Sequence, residues 1–308
     1  MIMVRLMGGL GNQMIQYAVG LQLATLHKTI LKLDLTFLLD RTPRENFTYR
    51  NFDLEVFNLR TEIATLAEVR RFRRLAEPAS RTFLERVADK FTKRKYYLET
   101  HPAFEPRVLD LPDETYLEGY FQDERYFNDI KADVRKRFTL QPDETTLPSE
   151  TRKIADEIRA SQSVCLHVRR GDYVAYPANV RIFGICGTDY YERGTTELRQ
   201  RTGAGRVFVF TDDVDWCRNN FKKSDGYTVV ENAHAGSHAS IHFWLMTLCR
   251  NFLIGNSSFA WWAAWLSGGK EKIVCRPDPW FVDPKYSEAV VCPDSWVKIR
   301  RGEPAVLE

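Results

Sequence analysis

The stretch from Ile2 to Asp34 leaves this chain few folds to choose from. Ile2, Val4 and Leu6 alternate with Met3 and Arg5, which is the period of a strand. Gly8-Gly9-Leu10-Gly11-Asn12-Gln13 then leads into Met14, Tyr17, Ala18 and Leu21 at helical spacing, and Ile30, Leu31 and Leu33 run as a second strand into Asp34. Strand, glycine turn, helix and strand make a βαβ unit, whose apolar faces are buried when parallel strands pair and helices cover them. The expected class is α/β with a doubly wound parallel sheet, and Asp34 falls at the carboxyl end of its strand.

The second half continues in the same style. Val164, Leu166 and Val168 alternate with Cys165, His167 and Arg169, while Val207-Phe208-Val209-Phe210 is the continuous apolar run of a strand covered on both faces. Further strands are expected at Thr228–Val230 and Phe252–Ile254. Helices are expected through Ile154, Ala155 and Ile158, from Ser237 to Cys249, and across Trp261, Trp262 and Trp265. Earlier, Tyr116 to Gln122 reads as a strand ending in an aromatic turn, followed by a helix through Tyr126, Ile130, Val134 and Phe138. A length of 308 residues suits two domains of this kind. Gln141 to Pro148, with two prolines and no periodicity, is the expected linker, giving domains 1–147 and 148–308.

Charge and cysteine usage narrow the function. A net charge of +3 is too weak to indicate nucleic acid. The charge is concentrated locally, with Arg70, Arg71, Arg73, Arg74, Arg81, Arg86, Lys90, Lys93, Arg94 and Lys95 meeting only Glu77, Glu85 and Asp89. This run, on helices through Val69, Phe72, Leu75, Phe83, Leu84, Val87 and Phe91, reads either as a solvated face or as a dock for anionic membrane lipids. It lacks the interleaved aromatics of a nucleic-acid stacking platform. The 6 cysteines carry no C-x-x-C pair and sit in apolar patterns, so they read as reduced core residues. Met1 to Leu6 is too short for a signal peptide or a spanning helix, and the expected compartment is the cytoplasm, with contact at the inner membrane face through Arg70–Lys95.

The residues that carry chemistry stand at strand ends. His167-Val168-Arg169-Arg170-Gly171-Asp172 delivers two guanidiniums beyond a strand, where open α/β sheets bind ligands, and the planar fork of arginine suits a phosphate. Gly9 and Gly11 allow a tight turn into a helix whose first N–H groups favour negative charge, and Asn12-Gln13 supplies two amides where one cap would do. Gly255-Asn256-Ser257-Ser258-Phe259 opens another helix and makes a second anion site, which could meet the His167 loop across one crevice. Asp213-x-Asp215 has the form of a metal-binding D-x-D, but Thr211-Asp212-Asp213 ahead of Trp216 fits a helix cap better. His234, His238 and His242 recur at intervals of four, yet no acid or thiolate completes a metal set, so they read as solvated or capping histidines. No metal site is expected.

Taken in order, Gly8-Gly9-Leu10-Gly11-Asn12-Gln13-Met14, His167-Val168-Arg169-Arg170-Gly171-Asp172-Tyr173, Phe210-Thr211-Asp212-Asp213 and Asn256-Ser257-Ser258-Phe259-Ala260-Trp261-Trp262 resemble the α-1,2-fucosyltransferase family. Gly119-Tyr120-Phe121-Gln122 is similar to that family's central aromatic segment. The resemblance implies a GT-B fold of two facing Rossmann-like domains, the first on the acceptor side and the second binding GDP-fucose. It implies inverting, metal-independent transfer of fucose, without a cofactor, to the 2-hydroxyl of a terminal galactose on an oligosaccharide, with a bacterial surface polysaccharide as the expected setting. By the same likeness Arg169 binds the β-phosphate, His167 assists nucleotide binding and Asp172 orients the loop, while Asn12 borders the reacting centre. Gly9, Gly11, Gln13, Arg170, Thr211, Asp212, Asn256, Ser257, Ser258 and Phe259 complete the donor set.

One departure is visible. The helix before Asn256 has Ser240-Ile241-His242 where the family carries an acid that would pair with guanine. Guanine is then left to backbone groups, Asp212 or Glu231. Asp34, Glu118 and Asp172 are the candidate bases for the acceptor proton. The alternatives are another GDP-fucose transferase making an α-1,6 or protein O-linkage, or a non-catalytic GDP-sugar or glycan binder.

Overall fold

A computed structural model describes residues 1–76, 94–231, 234, 239–269, 271–289 and 291–302. The chain divides into two compact units, Met1–Phe138 with Glu288–Val291, and Thr139–Ser287 with Cys292–Glu308. The division thus falls earlier than the expected boundary at 147. Pro148 immediately precedes the helix Ser149–Arg159, and the proposed linker belongs to the second unit, where Glu144–Thr146 form a 3-10 turn capped by Asp143.

In the first unit β1 (Ile2–Arg5), β2 (Leu31–Asp34), β3 (Glu62–Ile63), β4 (Lys95–Leu98) and β5 (Thr115–Glu118) form a five-stranded sheet in the order β3-β2-β1-β5-β4. Every pairing is parallel. The helix Leu10–Leu26 joins β1 to β2, so the βαβ reading holds. That helix is buried over most of its circumference, which is why its apolar residues do not form a narrow stripe. The helix expected through Tyr126 and Phe138 is only partly α. Glu124–Ile130 is 3-10 with a break at Phe127 (φ −132), and the α-helix covers Lys131–Arg137. The break lets the adjacent rings of Tyr126 and Phe127 both enter the core, which a regular helix would turn apart.

The second unit holds β6 (Ser163–Val168), β7 (Arg206–Thr211), β8 (Tyr227–Val229), β9 (Asn251–Ile254), β10 (Val274–Asp278) and β11 (Val297–Arg300) in the order β11-β10-β9-β6-β7-β8, again all parallel. Every residue of β6 is buried, so the alternation read in its sequence separates two covered faces rather than core from solvent. One face packs on Tyr190, Tyr191 and Leu198 of the helix Thr188–Thr202, an element the sequence reading did not single out. Trp261, Trp262 and Trp265 are core residues of the helix Ser258–Leu266, and all 6 cysteines are buried and free. Two parallel α/β units of this kind are the architecture expected from the sequence.

Of the basic run, Arg70, Arg71 and Arg74 are exposed at the end of the helix Leu66–Arg73. Arg81, Arg86, Lys90 and Lys93 lie outside the described residues, as does His238. Among the described residues no helix is long and apolar enough to cross a membrane.

Candidate active site

Each sheet reverses its strand order once, and each holds its motifs at that reversal. The second unit reverses between β6 and β9, where a doubly wound sheet opens a crevice beyond the strand ends. His167 is in register with Ile254, and the Gly255 N–H donates to the His167 carbonyl at 3.0 Å. A side chain at Gly255 would press within 3.3 Å of that carbonyl and 3.6 Å of the Arg169 nitrogen. Glycine therefore lets the start of the helix Ser258–Leu266 lie against the Arg169 loop, as expected for two anion sites sharing a crevice. Ser257 is the N-cap, in extended conformation, and its hydroxyl does not close the helix end.

Parallel register also builds the arginine's surroundings. Val168 pairs with Thr211, so the next residues, Arg169 and Asp212, leave the sheet side by side. Asp212 Oδ2 accepts from Arg169 Nη1 at 2.6 Å, and Asp212 Oδ1 accepts from the backbone N–H groups of Arg170 and Gly171 at 2.8 and 3.1 Å. An added Cβ at Gly171 would stand 2.7 Å from Asp212 Oδ2, so that close approach requires glycine. Arg169 Nη2 donates to Asp172 Oδ1 at 2.5 Å, and its guanidinium lies over the Tyr173 ring at 5.5 Å. Two of the five N–H donors an arginine carries are thereby committed, and the fork is fixed before any anion arrives.

Arg170 does not join it. Consecutive residues leaving a strand point to opposite sides, and Arg170 pairs with Asp213 at 2.9 Å and stacks on Trp216 at 4.3 Å. Asp213 caps the helix Val214–Asn220 by accepting from Trp216 N–H at 3.2 Å, which is the cap reading of the D-x-D. Asp215 pairs with Arg218. Thr211 accepts from Asp213 N–H at 2.9 Å. Among the described residues no group of three His, Cys, Asp or Glu side chains is arranged to hold a metal. His234 Nδ1 accepts from the Glu231 N–H, a local capping contact, and His242 lies edge-on to Phe210.

His167 is buried, which drives its imidazole pKa down to about 4; Asp212 pulls it up and Arg169 pushes it further down. The ring is therefore neutral at ordinary pH, and its Nδ1 is buried without a hydrogen-bond partner. Phe259 packs on Phe243 and lies 6.3 Å from the imidazole. Asn256 is also buried, but its amide donates to the carbonyls of Phe183 and Trp280 at 2.6 and 3.1 Å. Its position in the donor set is thus that of a tie behind the loop. Asp212 and Glu231, offered as guanine readers, are engaged by Arg169 and by Arg218 respectively.

The first unit reverses between β1 and β5, and the glycine motif lies there. Gly8 has φ +74, and a Cβ on it would run into the Asn12 amide. Gly9 and Gly11 bound the first helical residue, and Asn12 Oδ1 accepts from Gln122 Nε2 at 3.0 Å. Buried Gln13 donates to the Gly8 and Asn51 carbonyls and accepts from Asp53 N–H at 2.9 Å. The helix start already has an anion. Leu10 N–H donates to the half-buried carboxylate of Asp53, whose pKa burial raises against the pull of Arg50. Asp53 was not visible as a site residue, because nothing in Asn51-Phe52-Asp53-Leu54 announces a fold back onto Gly9. Buried Gln16 bridges the two strand ends, accepting from Met7 N–H and donating to the Gly119 carbonyl, both at 2.9 Å. Glu99 accepts from Tyr120 and Phe121 N–H groups and fixes the aromatic turn.

The candidate bases fare unequally. Asp34 is fully buried, accepting from Tyr116 O–H at 2.5 Å and Thr36 N–H at 2.8 Å, so it serves the sheet rather than a solvent-facing acceptor. Glu118 is held by Arg5 and by Tyr96.

A family model described as glycosyl transferase family 11 matches residues 1–300. The chain belongs to glycosyl transferase family 11. Among family relatives, an alpha-1,2-colitosyltransferase of Escherichia coli is 32% identical, the match covering 97% of this chain and 99% of that protein. The O-antigen biosynthesis glycosyltransferase WbnK of Escherichia coli is 30% identical over 96% of this chain and 99% of its own length. A galactoside alpha-(1,2)-fucosyltransferase 2 of Bos taurus is 30% identical over 59% of this chain and 54% of its own. Among solved structures, a mutant of Arabidopsis thaliana FUT1 in complex with GDP superposes with a TM-score of 0.48 at 15% identity, covering 92% of this chain and 74% of that one. This family 11 chain is a glycosyltransferase, and its motifs gather at the switch points of two parallel sheets.

Proposed function

We propose that this glycosyltransferase moves L-fucose from GDP-fucose to the 2-hydroxyl of a terminal β-galactose on a glycan, inverting the anomeric centre without a metal. The observation that carries the reading is the preset fork of Arg169 at the β6–β9 switch point, held by Asp172 and Asp212. In the transfer the acceptor oxygen attacks the anomeric carbon from the face opposite the nucleotide. The carbon–oxygen bond to the β-phosphate breaks, its electron pair stays on the phosphate, and the acceptor proton is released. A fixed cation beside that phosphate takes up charge as it develops, so its effect falls on the transition state. Asp172 and Asp212 act on Arg169, Ser257 and Ser258 stand at the adjacent helix start, and His167 contributes a neutral ring. In the first unit Asn12, Gln122 and the half-buried Asp53 offer amide and carboxylate groups to a sugar acceptor.

A second reading concerns the sugar alone. The alpha-1,2-colitosyltransferase matches nearly the whole chain, and colitose is L-fucose without its 3-hydroxyl, so the same phosphate machinery serves either sugar. Purified protein incubated with lactose and either GDP-fucose or GDP-colitose, with and without EDTA, separates these readings, with products assigned by mass spectrometry and linkage analysis. A fucosylated product formed in EDTA is expected; a requirement for added manganese overturns the metal-free reading. Arg169→Ala is expected to lose on the order of 10²–10³ in kcat, and Arg169→Lys to recover little because the fork is gone. Near-normal turnover in Arg169→Ala refutes the role.

A further inference from the structure

Behind the Asn256 loop sits a buried cation that, among the described residues, makes no ion pair. Arg301, just beyond β11, is buried, and no carboxylate lies within salt-bridge distance of it among the described residues. Its Nη1 donates to the Phe183 carbonyl at 2.6 Å, with the Trp280 carbonyl at 3.5 Å, and its Nη2 is buried without a partner. The approach is allowed by Gly184, whose φ of +60 few other residues adopt and where a Cβ would stand 3.0 Å from Nη2. Arginine is rarely buried unpaired, because the lost hydration is repaid only by an opposite charge.

The same two carbonyls accept from the Asn256 amide, so Arg301 and Asn256 are joined through shared acceptors. The Asn256 carbonyl in turn accepts from Tyr173 O–H at 2.9 Å, and the Tyr173 ring stacks on Phe183 at 4.6 Å. Burial raises the Tyr173 pKa, with Arg169 pulling against that rise, Asp172 adding to it and Arg301 pulling more weakly against it, so the phenol lies within the field of both guanidiniums. We propose that Arg301 is a charge-bearing positioning residue for the donor: its counter-charge is the diphosphate of the nucleotide sugar, held at the Arg169 fork in front while Arg301 acts from behind the Asn256–Ser258 loop. This rests on the reading that the crevice takes a GDP-sugar.

The test uses the charge of the ligand. Binding of guanosine, GMP and GDP to wild type, Arg301→Gln and Arg301→Lys is measured by calorimetry, after thermal melting confirms that each variant folds. Arg301→Gln is expected to leave guanosine affinity unchanged and to weaken GDP by on the order of tenfold, with GMP between, because a Coulomb interaction scales with the charge of the ligand. Arg301→Lys keeps the charge and is expected to stay near wild type for GDP, which tests the inference even where the glutamine variant does not fold. Equal losses for all three ligands, no loss for GDP, or a lysine variant as weak as the glutamine one each overturns the role. Wild-type protein that does not bind GDP refutes instead the underlying donor reading.

Discussion

Replacing His167 by glutamine tests the burial of an imidazole at the crevice. The folded pKa of about 4 lies below the usual 6.5, so the neutral ring is the form the fold accepts. The contribution to stability is therefore fully present above pH 6.5 and is lost as pH falls toward 4, because the unfolded chain binds the proton first. One pKa difference of this size corresponds to about 2 kcal/mol lost between pH 7 and pH 5, and about 3 kcal/mol by pH 4. All 7 tryptophans belong to the second unit, so their fluorescence in urea follows the part of the molecule that holds His167. Wild type is expected to lose about 2 kcal/mol more than His167→Gln between pH 7 and pH 5, the carboxylates common to both cancelling in the comparison. Parallel pH dependences in the two proteins would refute the assignment of a buried neutral ring.

Other outcomes follow from single contacts. Gln16→Leu leaves the Met7 N–H and the Gly119 carbonyl without a partner, at a cost of about 1–3 kcal/mol each, read as a lower denaturation midpoint; an unchanged midpoint sinks the bridge. Asp213→Ala removes a helix cap and the partner of Arg170, costing about 0.5–2 kcal/mol, and addition of manganese is expected to change the activity of neither protein. Asp34→Asn is expected to keep its pH–rate profile while melting at lower temperature, and loss of the acidic limb would restore Asp34 as the base.

The four motifs are legible because each combines a strand tip with a residue type that has a local task. Gly8 needs positive φ, Gly171 needs room beside Asp212, and Asp213 needs only the next helical turn. The partners of those motifs are not legible. Arg169 and Arg170 are equivalent as text, yet the first meets Asp172 and Asp212 while the second is drawn off by Asp213 and Trp216. Asn256 was read as a ligand donor, and its amide is spent on the carbonyls of Phe183 and Trp280, neither near it in the chain. Asp53, Glu99 and Arg301 carry no motif: Asp53 gained its place through a loop that folds back on the helix start, and Glu99 and Arg301 theirs by standing directly after β4 and β11.

What the sequence by itself determined is the class of fold and the address of the chemistry, since hydrophobic period and glycine turns act over a few residues. What tertiary structure decided is which charges are shared. Strand order put β9 beside β6, and parallel register then set Asp212 against Arg169 and the Asn256 loop in front of Arg301. Electrostatic interactions depend on distance through space rather than on spacing along the chain, so the partners of an arginine appear only once the sheet has closed.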